Sequence, residues 1–453
     1  MDSASHKTRY LENDRIFPLL LKMGLPAVVG MMVNALYNIV DTIFVGQGVG
    51  PLAIAALAIV FPIQMIVSAI AQAIGVGTAS IISRRLGEKR SEDAARALGT
   101  ALASVVLATL AVVSVLFLFM RPILGFFGAS AETMPYAMEY TTIVGAGFFF
   151  FSLSMCANNL LRAEGSTKAS MKGMLIGAIL NTALDPLFIF GFRMGVGGAA
   201  IATVISQAAS CVYLFGMYAR KKTVLPIKRE WLRIDPEILG RSIVLGIPSF
   251  VQSAGMSILM LIVNTSLGRY GGDAAITTYG MAHKLNMIVI MPILGIVQGF
   301  QPIAGYNYGA KRFDRVKESL KVTVLTAFSL ALLGYAFMML LPRVGISFFT
   351  RDPELIAASA RVLRIIFLFV PAASVQITGS VYFQAVGKPT EALILSLSRQ
   401  FLFLVPLVLL LPLSFGLDGV WAAFPLADFL SFSVTGTLLL KEVRKLGRSK
   451  GSA

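Results

Sequence analysis

The sequence predicts an all-α polytopic membrane protein of twelve transmembrane helices, built as two six-helix lobes related by a pseudo-twofold axis. Composition, segment length and an internal repeat lead there. The chain of 453 residues is 56% hydrophobic and 14% charged, with mean hydropathy +0.78, too little polar surface for a soluble protein of this size. Apolar runs long enough to cross roughly 30 Å of hydrocarbon, at about 20 residues each, recur along its length. The pattern of the first half returns displaced by 222 positions: Gly24-Leu25-Pro26 as Gly246-Ile247-Pro248, Gly46 as Gly268, Gly50 as Gly272, Gly77 as Gly299, and Leu86-Gly87-Glu88-Lys89-Arg90 as Tyr308-Gly309-Ala310-Lys311-Arg312. The register persists through Phe126-Phe127 against Phe348-Phe349, Glu132 against Glu354, and Ala163 and Gly165 against Ala385 and Gly387. Two like hydrophobic halves imply a transporter with its substrate site at their interface, because two similar bodies rocking about a cleft expose it to each side in turn.

The expected spans are 17–45, 52–82, 97–120, 135–161, 169–192 and 196–219 in the first half. Those of the second are 239–268, 274–306, 319–342, 355–385, 390–415 and 418–440. Each is a continuous run rich in Leu, Ala, Ile and Gly, unlike the short alternating segments of a transmembrane barrel. The division is a first lobe over 1–219, a linker over 220–237 and a second lobe over 238–453 that ends in a basic tail. No removable leader is expected, since the charged stretch Met1 to Arg15 runs into an apolar segment too long for a signal.

Net charge +16 raises the question of nucleic acid. Most of the 39 Lys and Arg fall on alternate loops and both tails, whereas the opposite loops hold only Arg121, Arg193, Arg269, Arg343 and Arg351. That asymmetry is topological: it predicts an inner-membrane protein with both termini cytoplasmic, and excludes a nucleic-acid footprint. An even number of spans per half makes the repeats parallel. Cys156 and Cys211 sit in apolar spans as small fillers and imply no disulfide.

Charges within hydrocarbon cost about 2.5–3.5 kcal/mol even on the mildest scale, so each must be functional, paired or snorkelling. The embedded acids are Asp41, Asp185 and Asp428, and the embedded bases Lys284 and Arg399, with His283 beside the former. Helical spacing puts Asn34, Asn38 and Asp41 on one stripe with Tyr37 one turn before Asp41, and Asn181 on the face of Asp185. Asp41 and Asp185 precede the glycines Gly46 and Gly191 by similar intervals and so lie at similar depth. Thr203, Ser206, Gln207 and Ser210 on the sixth span can complete a polar pocket there. Carboxylates with hydroxyl and amide oxygens suit a shared proton or a desolvated Na+ in such a pocket. The alternative is an interhelical hydrogen-bond network around Asp41 and a cap at Pro186 through Asp185.

The second half lacks these acids, with Val263 opposite Asp41 and Leu407 opposite Asp185, so coupling is expected in the first lobe. Asp428 is expected either to pair with Arg399 or Lys284, or to contact substrate together with Asn34, Gln207 and Met256; Arg361 and Arg364 are expected to snorkel. Among the prolines inside spans, Pro26 is the hinge candidate, since it shares a helix with Asp41 and has a partner in Pro248. No phosphate-binding Gly-x-x-x-x-Gly-Lys-Ser/Thr motif occurs, so no ATP is expected. Clustered metal ligands are missing, with His6 and His283 the only histidines.

The chain resembles the multidrug and toxic compound extrusion (MATE) transporters over nearly its full length. The resemblance rests on Leu36-Tyr37-Asn38-Ile39-Val40-Asp41-Thr42-Ile43-Phe44-Val45-Gly46, on Arg162-Ala163-Glu164-Gly165, on Asn181 to Pro186, on Gly198 to Thr203 and on Gln301 to Ala310. It implies two lobes around a V-shaped central cavity and a monomer that exports cationic or amphipathic compounds in exchange for H+ or Na+, with no other cofactor. Asp41, Asn181, Asp185 and Thr203 match the amino-lobe cation site of the DinF-like branch. The carboxylates that NorM-like members carry in the second lobe have no counterpart in Val251 to Asn264 or Phe369 to Gln384. A lipid-linked precursor flippase of the same broad fold and an intramembrane aspartyl-type enzyme are the alternatives; scarce embedded cations weigh against the first and the repeat against the second.

Overall fold

The computed structural model describes residues 3–448, leaving aside the side chains of residues 3–7, Asn38, Ile39, Thr42, Pro51, Ser257 and Arg448. Among the described residues there is no strand. Helix α1 covers Ser3–Asn13, α2 Ile16–Gly48, α3 Pro51–Gly87, α4 Ser91–Leu118, α5 Met120–Phe126, α6 Met134–Ala163 and α7 Thr167–Pro186, which runs on as a π-helical turn, Leu187–Gly191. Then come α8 Gly195–Ala219, α9 Pro236–Gly309, α10 Phe313–Leu340, α11 Pro342–Ser347, α12 Pro353–Phe367, α13 Val370–Ala385, α14 Pro389–Leu397, a π-helical stretch Ser398–Leu404 and α15 Val405–Arg448.

Among the described residues twelve spans result, because two of these helices are each two. The backbone leaves helical geometry at Gly272 in α9 and at Gly416 in α15, both with positive φ. Conversely α12 and α13 form one span, bent by 44°, and α14, the π-helical stretch and α15 up to Gly416 form another. Proline at the first turn starts α3 and α12, where its fixed φ suits the helix and no N–H is lost. Asp352 caps α12 by accepting from the N–H groups of Glu354 and Leu355.

The repeat is written in the backbone as well as the sequence. After α3, Lys89 takes φ 62° and Arg90 N–H donates to the Arg85 carbonyl at 2.9 Å. After α9, Lys311 takes φ 57° and Arg312 N–H donates to the Asn307 carbonyl at 2.9 Å. Gly165 and Gly387 close α6 and α13 with the same left-handed turn. Lysine tolerates such a φ at a cost of about 1–2 kcal/mol, and the turn occurs at equivalent places in both halves.

The chain forms two compact units that do not part at the linker. One comprises the residues up to Asn13 together with Val29–Ser253, the other Asp14–Val28 with the described residues from Ala254. Helix α2 therefore changes unit two residues after Pro26, and α9 changes unit soon after Pro248. The linker is fastened to the first unit. Glu164 accepts from the Leu225 N–H at 2.9 Å, and the Thr100 hydroxyl donates to the Arg233 carbonyl at 3.1 Å.

The apolar core of the first unit gathers Val45, Val60, Ile63, Val144, Phe148 and Ile189. That of the second gathers Val263, Leu267, Ile293, Leu363, Phe367 and Trp421. Large apolar side chains also stand outward, among them Leu107, Val212, Leu261, Leu333 and Leu413, each more than half exposed. In water such a surface is a liability; in lipid it is the solvated face.

Candidate functional site

The first unit brings four helices to one polar focus. Helix α7 supplies Asn181 and Asp185, both buried and one turn apart. The Asn181 side-chain amide donates to Asp185 Oδ1 at 3.3 Å and to Thr203 Oγ1 on α8 at 3.5 Å. Helix α2 brings the Asp41 carboxyl within hydrogen-bonding reach of Asp185. Helix α6 brings Tyr140, buried in the same focus and within reach of Thr203.

Three oxygens here are buried without a hydrogen-bond donor: Asp41 Oδ1, Asp185 Oδ2 and Asn181 Oδ1. Carboxylates and a carbonyl oxygen can only accept, so two acids meeting in an apolar bundle need a proton or a cation between them. Such an oxygen-rich donor set fits a hard monovalent cation as well as a shared proton. Among the described residues no group of three or more His, Cys, Asp or Glu could hold a metal ion.

Sequence reasoning brought Asp41, Asn181, Asp185 and Thr203 to the same place as the structure. Tyr37 and Asn34 lie partly buried on α2, and the Asn38 side chain falls outside the described residues. Ser206 and Ser210 turn away: their hydroxyls donate to the Ala202 and Gly173 carbonyls at 2.7 and 2.9 Å, so neither completes the pocket. Gln207 keeps a buried Oε1 without a donor. Tyr140 went unnoticed because helical period does not say which neighbouring helices its ring meets, and Glu139 beside it lies close to the start of α6 rather than deep in the span.

In the second unit Asp428 is buried and pairs with Arg399, whose Nε lies 2.6 Å from Asp428 Oδ1. Lys284 takes no part in that pair and stands over the Phe349 ring instead. Met256 is exposed. Arg361 reaches Asp418 in an exposed pair at 3.7 Å, and Arg364 donates to the Met339 carbonyl at 3.3 Å, as snorkelling side chains do. Both cysteines are buried and free.

Comparisons with known proteins agree with this architecture. The MatE family matches the chain twice, over residues 26–187 and 248–410. Multidrug export protein MepA of Staphylococcus aureus is 26% identical over 424 residues, covering 93% of each chain. The protein of that name from Staphylococcus haemolyticus is 26% identical over 411 residues, covering 91% of this chain and 90% of its own. Among solved structures, "Crystal structure of MATE in the bent conformation" superposes with a TM-score of 0.92 at 26% identity, covering 98% of this chain and 99% of that one. "Outward-facing conformation of a multidrug resistance MATE family transporter of the MOP superfamily" gives 0.91 at 27%, covering 97% and 98%. With both repeats matched and the whole architecture shared, the chain belongs to the MatE family and is a multi-pass membrane transporter rather than an enzyme.

Proposed function

We propose that this transporter is a multidrug efflux antiporter for cationic and amphipathic compounds, driven by H+ or Na+ acting at Asp41 and Asp185. The observation that carries the reading is the pair of carboxyls on α2 and α7, with donorless oxygens around them. Among the described residues the second unit has no such pair, its Asp428 being matched by Arg399. Coupling is therefore concentrated in the first unit. Relatives named as multidrug export proteins support drugs as the substrates.

In the cycle, a cation or proton occupies the oxygens of Asp41, Asp185, Asn181 and Thr203, and its arrival draws α2 toward α7. Helix α2 yields at Pro26, where the missing backbone hydrogen bond softens it and next to which the helix passes from one unit to the other. Binding of the ion and of the drug then oppose one another, which is what antiport requires. The chain works as a monomer in the inner membrane; the distribution of Lys and Arg supports placing both termini in the cytoplasm.

The test is efflux of a fluorescent organic cation from proteoliposomes under an imposed pH or Na+ gradient. Efflux driven by one gradient and lost in Asp41→Asn is expected. Undiminished gradient-driven efflux in Asp41→Asn would overturn the assignment of coupling to this pair.

A further inference from the structure

A polar seam in the first unit leads from the two acids to the far end of α6, the end that the distribution of Lys and Arg supports as cytoplasmic. Asn181 donates to Asp185 and to Thr203, and Gln207, one turn after Thr203 on α8, keeps a buried Oε1 without a donor. The Ser154 hydroxyl of α6 donates to the Gln207 carbonyl at 3.5 Å. One turn further along α6, Asn158 accepts from Ser170 of α7 at 2.9 Å, and Ser170 in turn accepts from Arg162 Nη1 at 3.1 Å. Arg162 Nη2 donates to Asn159 Oδ1 at 2.5 Å. Every step is a hydrogen bond or one helical turn, and Ser154, Asn158, Asn159 and Ser170 are all buried.

The seam ends on a cation with only neutral partners. Among the described residues no carboxylate pairs with Arg162, whose guanidinium rests on an amide and a hydroxyl. A basic side chain in the last turn of a helix is favoured by the backbone dipole, but the second unit shows that this turn does not need one. There α13 ends in the same left-handed glycine turn, at Gly387, with Gln384 at the place of Arg162. The seam is interrupted in that copy too: Phe403, Phe429 and Ala392 stand where the first unit has Asn181, Gln207 and Ser170. Polar seam and unpaired charge therefore occur together, in the unit that carries the acid pair.

We propose that Arg162 is an electrostatic barrier that stops the coupling cation from leaking along this seam into the cytoplasm without an exchange of drug. Buried hydroxyls and amides with spare acceptors take up water or a cation once their helices part slightly, and an antiporter that passes its ion by such a route dissipates the gradient that drives it. A fixed positive charge repels H+ and Na+ alike, as an arginine does in other polar pores that exclude cations. Asn159 and Ser170 act as positioning residues: they hold the guanidinium in the seam without neutralising it, as a carboxylate would. The inference rests on the antiport reading above and adds to it the element that keeps ion and drug movement coupled.

The experiment uses the full-length protein in proteoliposomes that enclose a pH-sensitive or a Na+-sensitive dye, with ethidium as the drug. Ion flux is read under an imposed gradient, first without ethidium and then with it. Arg162→Gln is expected to raise the drug-free flux roughly tenfold, the order of one unit charge acting over about 10 Å at an effective dielectric of about 20, and to lower the ethidium moved per ion. Arg162→Lys keeps the charge but loses the planar hydrogen bonds, and is expected to stay within about twofold of wild type. Ser170→Asp leaves the arginine in place and sets a carboxylate beside it; it is expected to leak as Arg162→Gln does, and carries the test should that variant fold poorly. Equal leak in the Arg162→Lys and Arg162→Gln variants, or none in folded Arg162→Gln and Ser170→Asp, overturns the barrier and leaves the export reading standing. Absence of ethidium-dependent ion flux in the folded wild type overturns the export reading and this inference with it.

Discussion

The Asn181 side-chain amide donates to the Asp185 carboxylate across one turn of α7 and, at 3.5 Å, to Thr203 on the neighbouring helix. Its own carbonyl oxygen then faces the focus with no donor, beside one oxygen of each acid. One asparagine thus fixes the plane of Asp185 and contributes an acceptor to whatever ion sits there. Asp185→Asn and Asn181→Leu should each reduce gradient-driven efflux, Asp185→Asn by roughly tenfold or more, in the range of ordinary coupling free energies. Paired measurements of drug binding without a gradient should change much less. A parallel fall in binding and in efflux would mean that these residues hold the drug rather than the ion.

Tyr140 meets the same focus from α6, within reach of Thr203 and near both acids. Tyr140→Phe removes one hydroxyl and keeps the ring that packs in the core with Val144 and Phe148. Efflux should fall several-fold, as for loss of one hydrogen bond worth about 1 kcal/mol, with little change in thermal stability. A large drop in melting temperature with intact coupling would make Tyr140 a packing residue only.

Glu442, near the end of α15, is buried and paired with Lys388 just before α14, and the Tyr382 hydroxyl donates to it at 3.4 Å. Glu442→Gln leaves the lysine without its counter-charge in a mostly buried position. Removing one member of such a pair costs about 3 kcal/mol, so the detergent-solubilised variant should melt markedly lower. Lys388→Met combined with Glu442→Leu should recover part of that loss.

Two helix crossings depend on absent side chains. A Cβ on Gly77 would overlap the Ser242 carbonyl, and one on Gly299 would overlap the backbone of Gly24 in the matching crossing of the other unit. Backbone cannot swing aside, so Gly77→Ala and Gly299→Ala should each destabilise by about 1–3 kcal/mol. Gly216 on α8 has open space where a Cβ would go, and Gly216→Ala should stabilise by roughly 0.5–1 kcal/mol. Thermal unfolding of the three variants checks both signs, and equal effects at all three positions would refute the crossings' importance.

The sequence by itself determined the solvent, the twelve spans and the doubling of the fold, because hydrophobic length and a fixed repeat offset are properties of the linear chain. It also singled out Asp41, Asn181, Asp185 and Thr203, since embedded polar groups are too costly to be incidental. Tertiary structure alone decided which of these touch. Helical period places residues on a face of their own helix but says nothing about which neighbour that face meets or which rotamer is adopted. Hence Tyr140 arrived from α6 unannounced, Ser206 and Ser210 turned to backbone carbonyls, and Arg399 rather than Lys284 claimed Asp428. The passage of α2 and α9 between units near Pro26 and Pro248 was decided in the same way: contacts made after the helices assemble, not the order of residues along them, set where one packed body ends and the other begins.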